Sequence, residues 1–151
     1  MTVRCSFLTL PLVAGVIAFG STAAMAQGLQ LYAGLYGGNE ISPTGQAGAG
    51  DPDGYGAAAV TFHGTTQVCV GIVVDRIDKP ILAHIHEGIA GVNGPIVITL
   101  VPPSTGNPGS SNICTNLSTT LFVRIRNSPS NFYVNVHTEK FGAGAIRGQL
   151  N

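Results

Sequence analysis

The feature that most constrains this fold is a series of short runs that alternate in polarity between glycine- and proline-bearing segments. The run from Phe132 to His137 is the clearest, because Phe132, Val134 and Val136 alternate with more polar residues. Such alternation places successive side chains on opposite faces of a β-strand. The chain also has 21 glycines among its 151 residues, which favours tight turns over long helices.

The same pattern predicts strands over residues 30–36, 58–63, 67–75, 81–86, 95–101, 132–137 and 145–150, with a loop over 102–111. Gly64 begins a three-residue connection that predicts a hairpin between the second and third runs. Residues 117–127 fit either a helical face or a strand, and we favour a short helix capped by Ser118. The predicted fold class is all-β: an antiparallel Greek-key β-sandwich or barrel with at most one short helix, at about 117–127.

The first 26 residues have the features of a cleavable signal peptide. Arg4 precedes a nearly continuous apolar run over 7–19, and Ala24-Met25-Ala26 supplies a small-x-small cleavage site. The run is shorter than the roughly 20 apolar residues of a membrane-spanning helix. We therefore expect a mature domain over 27–151, without a transmembrane segment, that is secreted or periplasmic.

The few charges exclude two classes of partner. Removing residues 1–26 takes away Arg4 and leaves six basic and seven acidic residues. A domain this close to neutral has no basic surface for nucleic acid and no polybasic patch for an anionic membrane. The expected partner is an extracytoplasmic protein or a small ligand that the sequence does not identify.

The cysteines predict one disulfide. With Cys5 inside the signal peptide, only Cys69 and Cys114 remain, in a chain delivered to a compartment where disulfides persist. We expect them to pair, and two unpaired buried thiols are the alternative, because pairing depends on a Cα separation that sequence does not reveal.

Three histidines, His84, His86 and His137, lie on the less apolar faces of two predicted strands. If these strands are neighbours, the three rings converge and could bind copper or zinc, both of which accept imidazole nitrogen. By residue pattern alone, surface or hydrogen-bonded histidines are the commoner interpretation. In that alternative the histidines and Asn135 hold loops in place.

Four segments form an ordered set of motifs: residues 83–86 (AHIH), 91–97 (GVNGPIV), 133–138 (YVNVHT) and 144–150 (GAIRGQL). Together they resemble the CHRD domain, a module first described in chordin and found in secreted bacterial proteins. Residues 39–43 (NEISP) are similar to the family's N-E-V-P-P segment, with Ile41 and Ser42 departing from it, so the resemblance runs from about Leu31 to the C-terminus. It implies a β-sandwich or barrel, a cysteine pair at Cys69 and Cys114, and no settled biochemical activity.

A more distant likeness is to copper/zinc superoxide dismutase, a Greek-key sandwich. It implies that His84, His86 and His137 would bind the metal and that Arg147, nearby, would guide an anion. The chain has no equivalent of the bridging histidine or of the zinc-binding loop, so the likeness does not imply dismutase activity.

These observations lead to two functional hypotheses. The first is an exported CHRD-domain protein that acts as a non-catalytic binding or envelope module. The second is a copper- or zinc-binding protein with a three-histidine site. No complete catalytic constellation occurs in the sequence, which favours a role other than that of an enzyme.

Overall fold

The computed structural model describes residues 29–151, so the predicted signal peptide over 1–26 lies outside the described residues. The strands are β1 Gln30–Tyr36, β2 Tyr55–His63, β3 Gln67–Asp75, β4 Pro80–Glu87, β5 Ile96–Leu100, β6 Gly109–Asn116, β7 Phe132–Thr138 and β8 Ile146–Gln149. One α-helix, α1 Thr119–Asn127, lies between β6 and β7.

All eight strands form one antiparallel sheet in the order β5-β4-β7-β8-β1-β2-β3-β6. Neighbours that are not consecutive, such as β4 and β7, show that the chain crosses between the two ends of the sheet. The sheet curls so that its edges approach each other, and Ser111 Oγ donates to the Val101 carbonyl across a distance of 2.6 Å. The result is a nearly closed barrel, and the all-β prediction with one short helix is confirmed.

The inner face of the sheet forms the hydrophobic core. It is built from alternate residues of the strands, among them Leu31, Leu35, Val60, Val68, Val70, Ile72, Ile85, Val134 and Val136. Helix α1 adds Phe122 and Ile125 to this core, and the Phe122 ring meets Phe62 edge to face at 5.1 Å. Ser118 caps the helix as expected, because its Oγ accepts from Leu121 N at 3.2 Å.

The predicted hairpin joins β2 to β3, with His63 opposite Gln67. Strand β3 continues the sheet to β6, where Cys69 lies directly opposite Cys114 with a Cα–Cα distance of 4.0 Å. These two residues form the disulfide that the cysteine count predicts. The bridge therefore ties β3, the last strand but one, to the edge strand β6.

The prediction of a loop over 102–111 is wrong at its C-terminal end, because β6 begins at Gly109. The strand starts with the polar sequence Gly-Ser-Ser-Asn and lies at an edge, where neither face is fully buried. Hydrophobic alternation therefore does not mark its beginning. Within residues 29–151, the structure shows no helix of the length and apolarity that a membrane span requires.

Candidate metal centre

The outer face of β7 is buried, together with the adjoining parts of β4 and β8 at His84, His86 and Arg147. Sequence alternation correctly places Tyr133, Asn135 and His137 on the face opposite the hydrophobic core. This outward face is nevertheless covered, because every residue of β7 is buried. Two loops, over 37–54 and 88–95, cover this face. They are joined by Asn93, whose Nδ2 donates to the carbonyls of Ile41 and Ser42.

Under these loops lies a cluster of polar side chains that we call the polar layer. Its members are buried and come from four parts of the chain: Glu40, His84, His86, Tyr133, Asn135, His137 and Arg147. Charged and polar groups are rarely buried in this way unless they have partners. The polar layer is therefore the most chemically specialised part of the described chain.

Strand register brings the three histidines together. In the β4–β7 pair, His84 lies opposite Asn135, Leu82 opposite His137, and His86 opposite Tyr133. Directly opposed residues of an antiparallel pair project from the same face of the sheet. The two strands that carry the histidines are therefore neighbours, which is what convergence of the three rings requires.

The three imidazoles converge on one point. Each ring offers one nitrogen, and these atoms all lie within 4.8 Å of one another. His84 Nδ1 and His137 Nε2 are only 3.1 Å apart. The His84 ring meets those of His86 and His137 edge to face, at centroid distances of 5.5 and 5.0 Å.

Backbone carbonyls hold the other nitrogens of two of these rings. His86 Nδ1 lies 2.8 Å from the Gly94 carbonyl oxygen, and His137 Nδ1 lies 3.0 Å from that of Gly142. A carbonyl only accepts, so each Nδ1 carries the proton and each Nε2 presents a lone pair. Such outer hydrogen bonds fix the tautomer and orientation of metal-ligating histidines.

Burial keeps the rings in their neutral form. It lowers the pKa of all three histidines, and the pKa of His84 falls to about 4 because burial is reinforced by the neighbouring His137 and His86. Neutral imidazole is the form that binds metal. The cluster is thus ready to act as a ligand set at neutral pH.

The spacing fits a single ion. Two nitrogens that bind one zinc or copper ion at roughly 2.0–2.1 Å can be no more than about 4.2 Å apart. The 3.1 Å separation of His84 Nδ1 and His137 Nε2 satisfies this limit. It is also a hydrogen-bond distance, with His84 Nδ1 as the donor since His137 Nε2 accepts, so an ion bound by both nitrogens would take the place of that proton. Since no pair exceeds 4.8 Å, His86 needs at most a small movement to complete the set.

Arg147 lies in the polar layer as a structural clamp. It is only 2% exposed, and its guanidinium donates to Asn93 Oδ1 and to the carbonyls of Ile89 and Val92. The same group lies over the Tyr133 ring, 3.3 Å from its centroid. These contacts hold the 88–95 loop in place. The dismutase likeness implies that Arg147 would guide an anion, but its guanidinium is occupied by contacts within the protein.

Tyr133 links the clamp to the histidines. Its ring stacks on His86, with 4.7 Å between centroids and nearly parallel planes. Its hydroxyl accepts from the backbone N of Gly94, the residue whose carbonyl holds His86 Nδ1. Arg147, Tyr133 and the 88–95 loop together fix the position of one histidine ring.

Glu40, like Tyr133, is a member of the polar layer that sequence reasoning missed. It is 1% exposed, and burial raises its pKa to about 7, although the charge of Arg147 and hydrogen bonds from Ile41 N and Asn135 oppose the rise. The one signal that could have found it is its place in the NEISP segment, a carboxylate directly after Gly37-Gly38-Asn39 in a chain with few charges.

The fold and the site together define an all-β barrel that carries a buried histidine cluster outside its hydrophobic core. The family model described as CHRD domain matches residues 31–150, which is most of the chain. The chain therefore belongs to the CHRD-domain family. A comparison with curated proteins finds no match.

Proposed function

We propose that this CHRD-domain protein is an exported metal-binding protein and that its ligand is a copper or zinc ion held by His84, His86 and His137. One observation carries the proposal: three neutral imidazoles converge, with nitrogens that all lie within 4.8 Å of one another. Export is supported by the signal-peptide pattern and by the disulfide, which persists in oxidising compartments.

The hydrogen-bond pattern favours metal binding over a purely structural role for the rings. Within the described residues, His86 Nε2 is one of three buried side-chain atoms without a hydrogen-bond partner. Leaving a buried polar atom unpaired costs about 1–3 kcal/mol. A metal ion at the convergence point removes this cost for His86. Of the other two rings, His137 already uses both nitrogens, one on the Gly142 carbonyl and one on His84 Nδ1.

Ligand chemistry favours copper over zinc. Imidazole suits both ions, and the general affinity order places Cu²⁺ above Zn²⁺ for a given set of nitrogen and oxygen ligands. Bound copper would supply a one-electron redox centre, and bound zinc a Lewis acid. The proposal concerns binding and assigns no reaction.

The test is a titration of the purified protein with Cu²⁺ and Zn²⁺ in competition with a chelator of known affinity. We expect one ion per chain, with copper bound more tightly. His84→Ala/His137→Ala is expected to abolish this binding. The matched control is His63→Ala, because His63 lies exposed at the end of β2, away from the cluster. Equal binding by the double variant and the wild type would overturn the proposal.

The alternative function is a non-catalytic binding or envelope module that uses no metal. It is supported by the outer face of β1–β3, where Tyr32, Tyr36 and Val73 are each more than half exposed. Aromatic residues are enriched at protein interfaces, where charged residues are depleted. Absence of stoichiometric metal binding, combined with retention of the protein on isolated cell envelopes that Tyr32→Ser/Tyr36→Ser abolishes, would favour this function.

A further inference from the structure

One residue of the polar layer lies between the histidine cluster and the buried carboxyl. Asn135 is in the middle of β7, opposite His84 on β4 and opposite Arg147 on β8. Its side chain therefore projects from the same face as the three imidazoles. It is 2% exposed, so bulk water is not available to satisfy its amide group.

The amide oxygen of Asn135 lacks a partner. Three buried side-chain atoms of the described residues are left without a hydrogen bond: Glu40 Oε2, His86 Nε2 and Asn135 Oδ1. The Asn135 side chain contributes to the pKa of both other residues, lowering that of Glu40 and raising that of His86, as expected for a polar group close to both. With Nδ1 of His86 donating to Gly94, both His86 Nε2 and Asn135 Oδ1 are acceptors. Two buried acceptors in one site are stabilised only if a cation or a hydrogen-bond donor lies between them.

Glu40 decides which end of the amide faces the histidines. When Glu40 is ionised, which the charge of Arg147 favours and burial opposes, its carboxylate only accepts hydrogen bonds, whereas an asparagine side chain has a donating Nδ2 and an accepting Oδ1. With Glu40 in that form, Nδ2 is the end of the amide that suits the carboxylate, and Oδ1 is left for the side of His86. The carboxyl itself is closely confined, because a Cβ at Gly144 would collide with Glu40 Oε2.

We infer that Asn135 Oδ1 is a fourth ligand of the proposed metal centre and that Glu40 is the positioning residue that presents it. The inference rests on the proposed function. It gives the site three imidazole nitrogens and one neutral oxygen, a set that suits four-coordinate zinc and tetragonal copper. When ionised, the buried Glu40 carboxyl would also place a negative charge in the same polar layer without binding the cation.

The first test compares copper affinities of variants at position 135. Loss of the ligand in Asn135→Ala is expected to weaken copper binding by about tenfold or more, on the scale known for groups that support metal sites. Asn135→Asp replaces the neutral oxygen by an anionic one and is expected to restore wild-type affinity or exceed it. A role limited to packing predicts no such rescue.

The second test examines Glu40. Glu40→Gln keeps the size of the side chain but can donate to Asn135 Oδ1, so the amide orientation is no longer imposed. We expect copper affinity to fall by about tenfold. Glu139→Gln, which removes an exposed carboxylate near the site, is the matched control and is expected to bind as the wild type does.

A structure of the copper-loaded wild type decides the matter even if a variant does not fold. A distance from the ion to Asn135 Oδ1 of up to about 2.5 Å supports the inference, given usual metal–oxygen distances of about 2.0–2.2 Å. A copper ion on the three histidines with Oδ1 beyond about 3 Å overturns the inference and leaves the proposed function intact. Failure of the wild type to bind metal overturns both.

Discussion

His84 and His137 face each other across neighbouring strands, with Nδ1 of the first 3.1 Å from Nε2 of the second. They are 53 residues apart in sequence, and the pairing of β4 with β7 brings them together. Both rings are neutral at pH 7, because burial lowers both pKa values. Protonation of either ring at low pH, or binding of a metal ion by both, would therefore change the contact between these two nitrogens.

The pH dependence of metal binding follows from these pKa values. A proton competes with the metal for each imidazole, and competition begins only as the pH falls through the histidine's pKa. Since burial lowers the pKa of all three rings, and that of His84 to about 4, we expect copper to be retained well below pH 6.5. Equilibrium dialysis from pH 8 to pH 4 measures the release midpoint. A midpoint at or above pH 6.5 would contradict the prediction.

Glu40 gives the metal-free protein a second pH dependence, of opposite sign. Its pKa rises on folding from 4.5 to about 7, so its burial costs nothing below about pH 4.5, and stability is lost as the pH rises toward 7. The buried histidines, whose pKa values are lowered, contribute stability above about pH 6.5 that is lost as the pH falls. Both effects act in the same pH range, and a substitution at Glu40 separates them.

We therefore expect Glu40→Gln to gain stability relative to the wild type as the pH rises from 4.5 to 7.5. The relative gain in the free energy of unfolding is roughly 3 kcal/mol, since one pH unit of pKa corresponds to about 1.4 kcal/mol. Urea denaturation of the metal-free proteins at several pH values measures it, with Glu139→Gln as control. A difference between Glu40→Gln and the wild type that does not vary with pH would show that Glu40 is not buried as a titrating carboxyl.

Substitution of Arg147 tests whether this residue holds the 88–95 loop in place. Arg147→Ala removes donors to Asn93, Ile89 and Val92 and leaves the Glu40 carboxyl without its positive neighbour. Removal of one member of a buried charged group typically costs about 3–5 kcal/mol. We expect a loss of that order in urea denaturation, and faster amide hydrogen exchange over 88–95.

The control for Arg147→Ala is Arg126→Ala, because Arg126 lies exposed on helix α1. It is expected to change the free energy of unfolding by less than about 0.5 kcal/mol. Slow exchange of the 88–95 amides in both variants would show that other contacts hold the loop.

The disulfide is expected to stabilise the barrel. Replacing both cysteines by serine, or reducing the bridge, should lower the free energy of unfolding by about 2–4 kcal/mol, since the bridge closes a loop of 45 residues in the unfolded chain. Denaturation with and without reductant measures the effect. The Cys69→Ser/Cys114→Ser variant should show no further change with reductant, and an unchanged wild-type midpoint in reductant would contradict the prediction.

The sequence predicts seven of the eight strands of the described residues, because their alternation and turn residues are local properties, and it misses β6, whose polar start shows no alternation. It also predicts that His84, His86 and His137 share a face, but not that this face is covered. Burial of the face depends on Asn93 and Arg147 joining distant loops to β8, and no local pattern reports such contacts. Glu40 could not be predicted for the same reason. A single carboxylate in a glycine-rich loop is normally exposed to solvent.

Gly144 provides the last prediction, because its lack of a side chain makes room for Glu40. The residue has a φ of +144°, and a Cβ there would collide with the buried carboxyl. Gly144→Ala must therefore displace Glu40 or the β7–β8 turn, and we expect both the free energy of unfolding and the copper affinity to fall. Gly142→Ala is the matched control in the same turn, since a Cβ at that position meets no atom within 4 Å. Because the φ of Gly144 strains any side chain whatever the space, a loss of stability alone does not separate strain from the collision with Glu40, and chelator competition is the deciding measurement. Equal copper affinities of the two variants would contradict a role for the space that Gly144 leaves for Glu40.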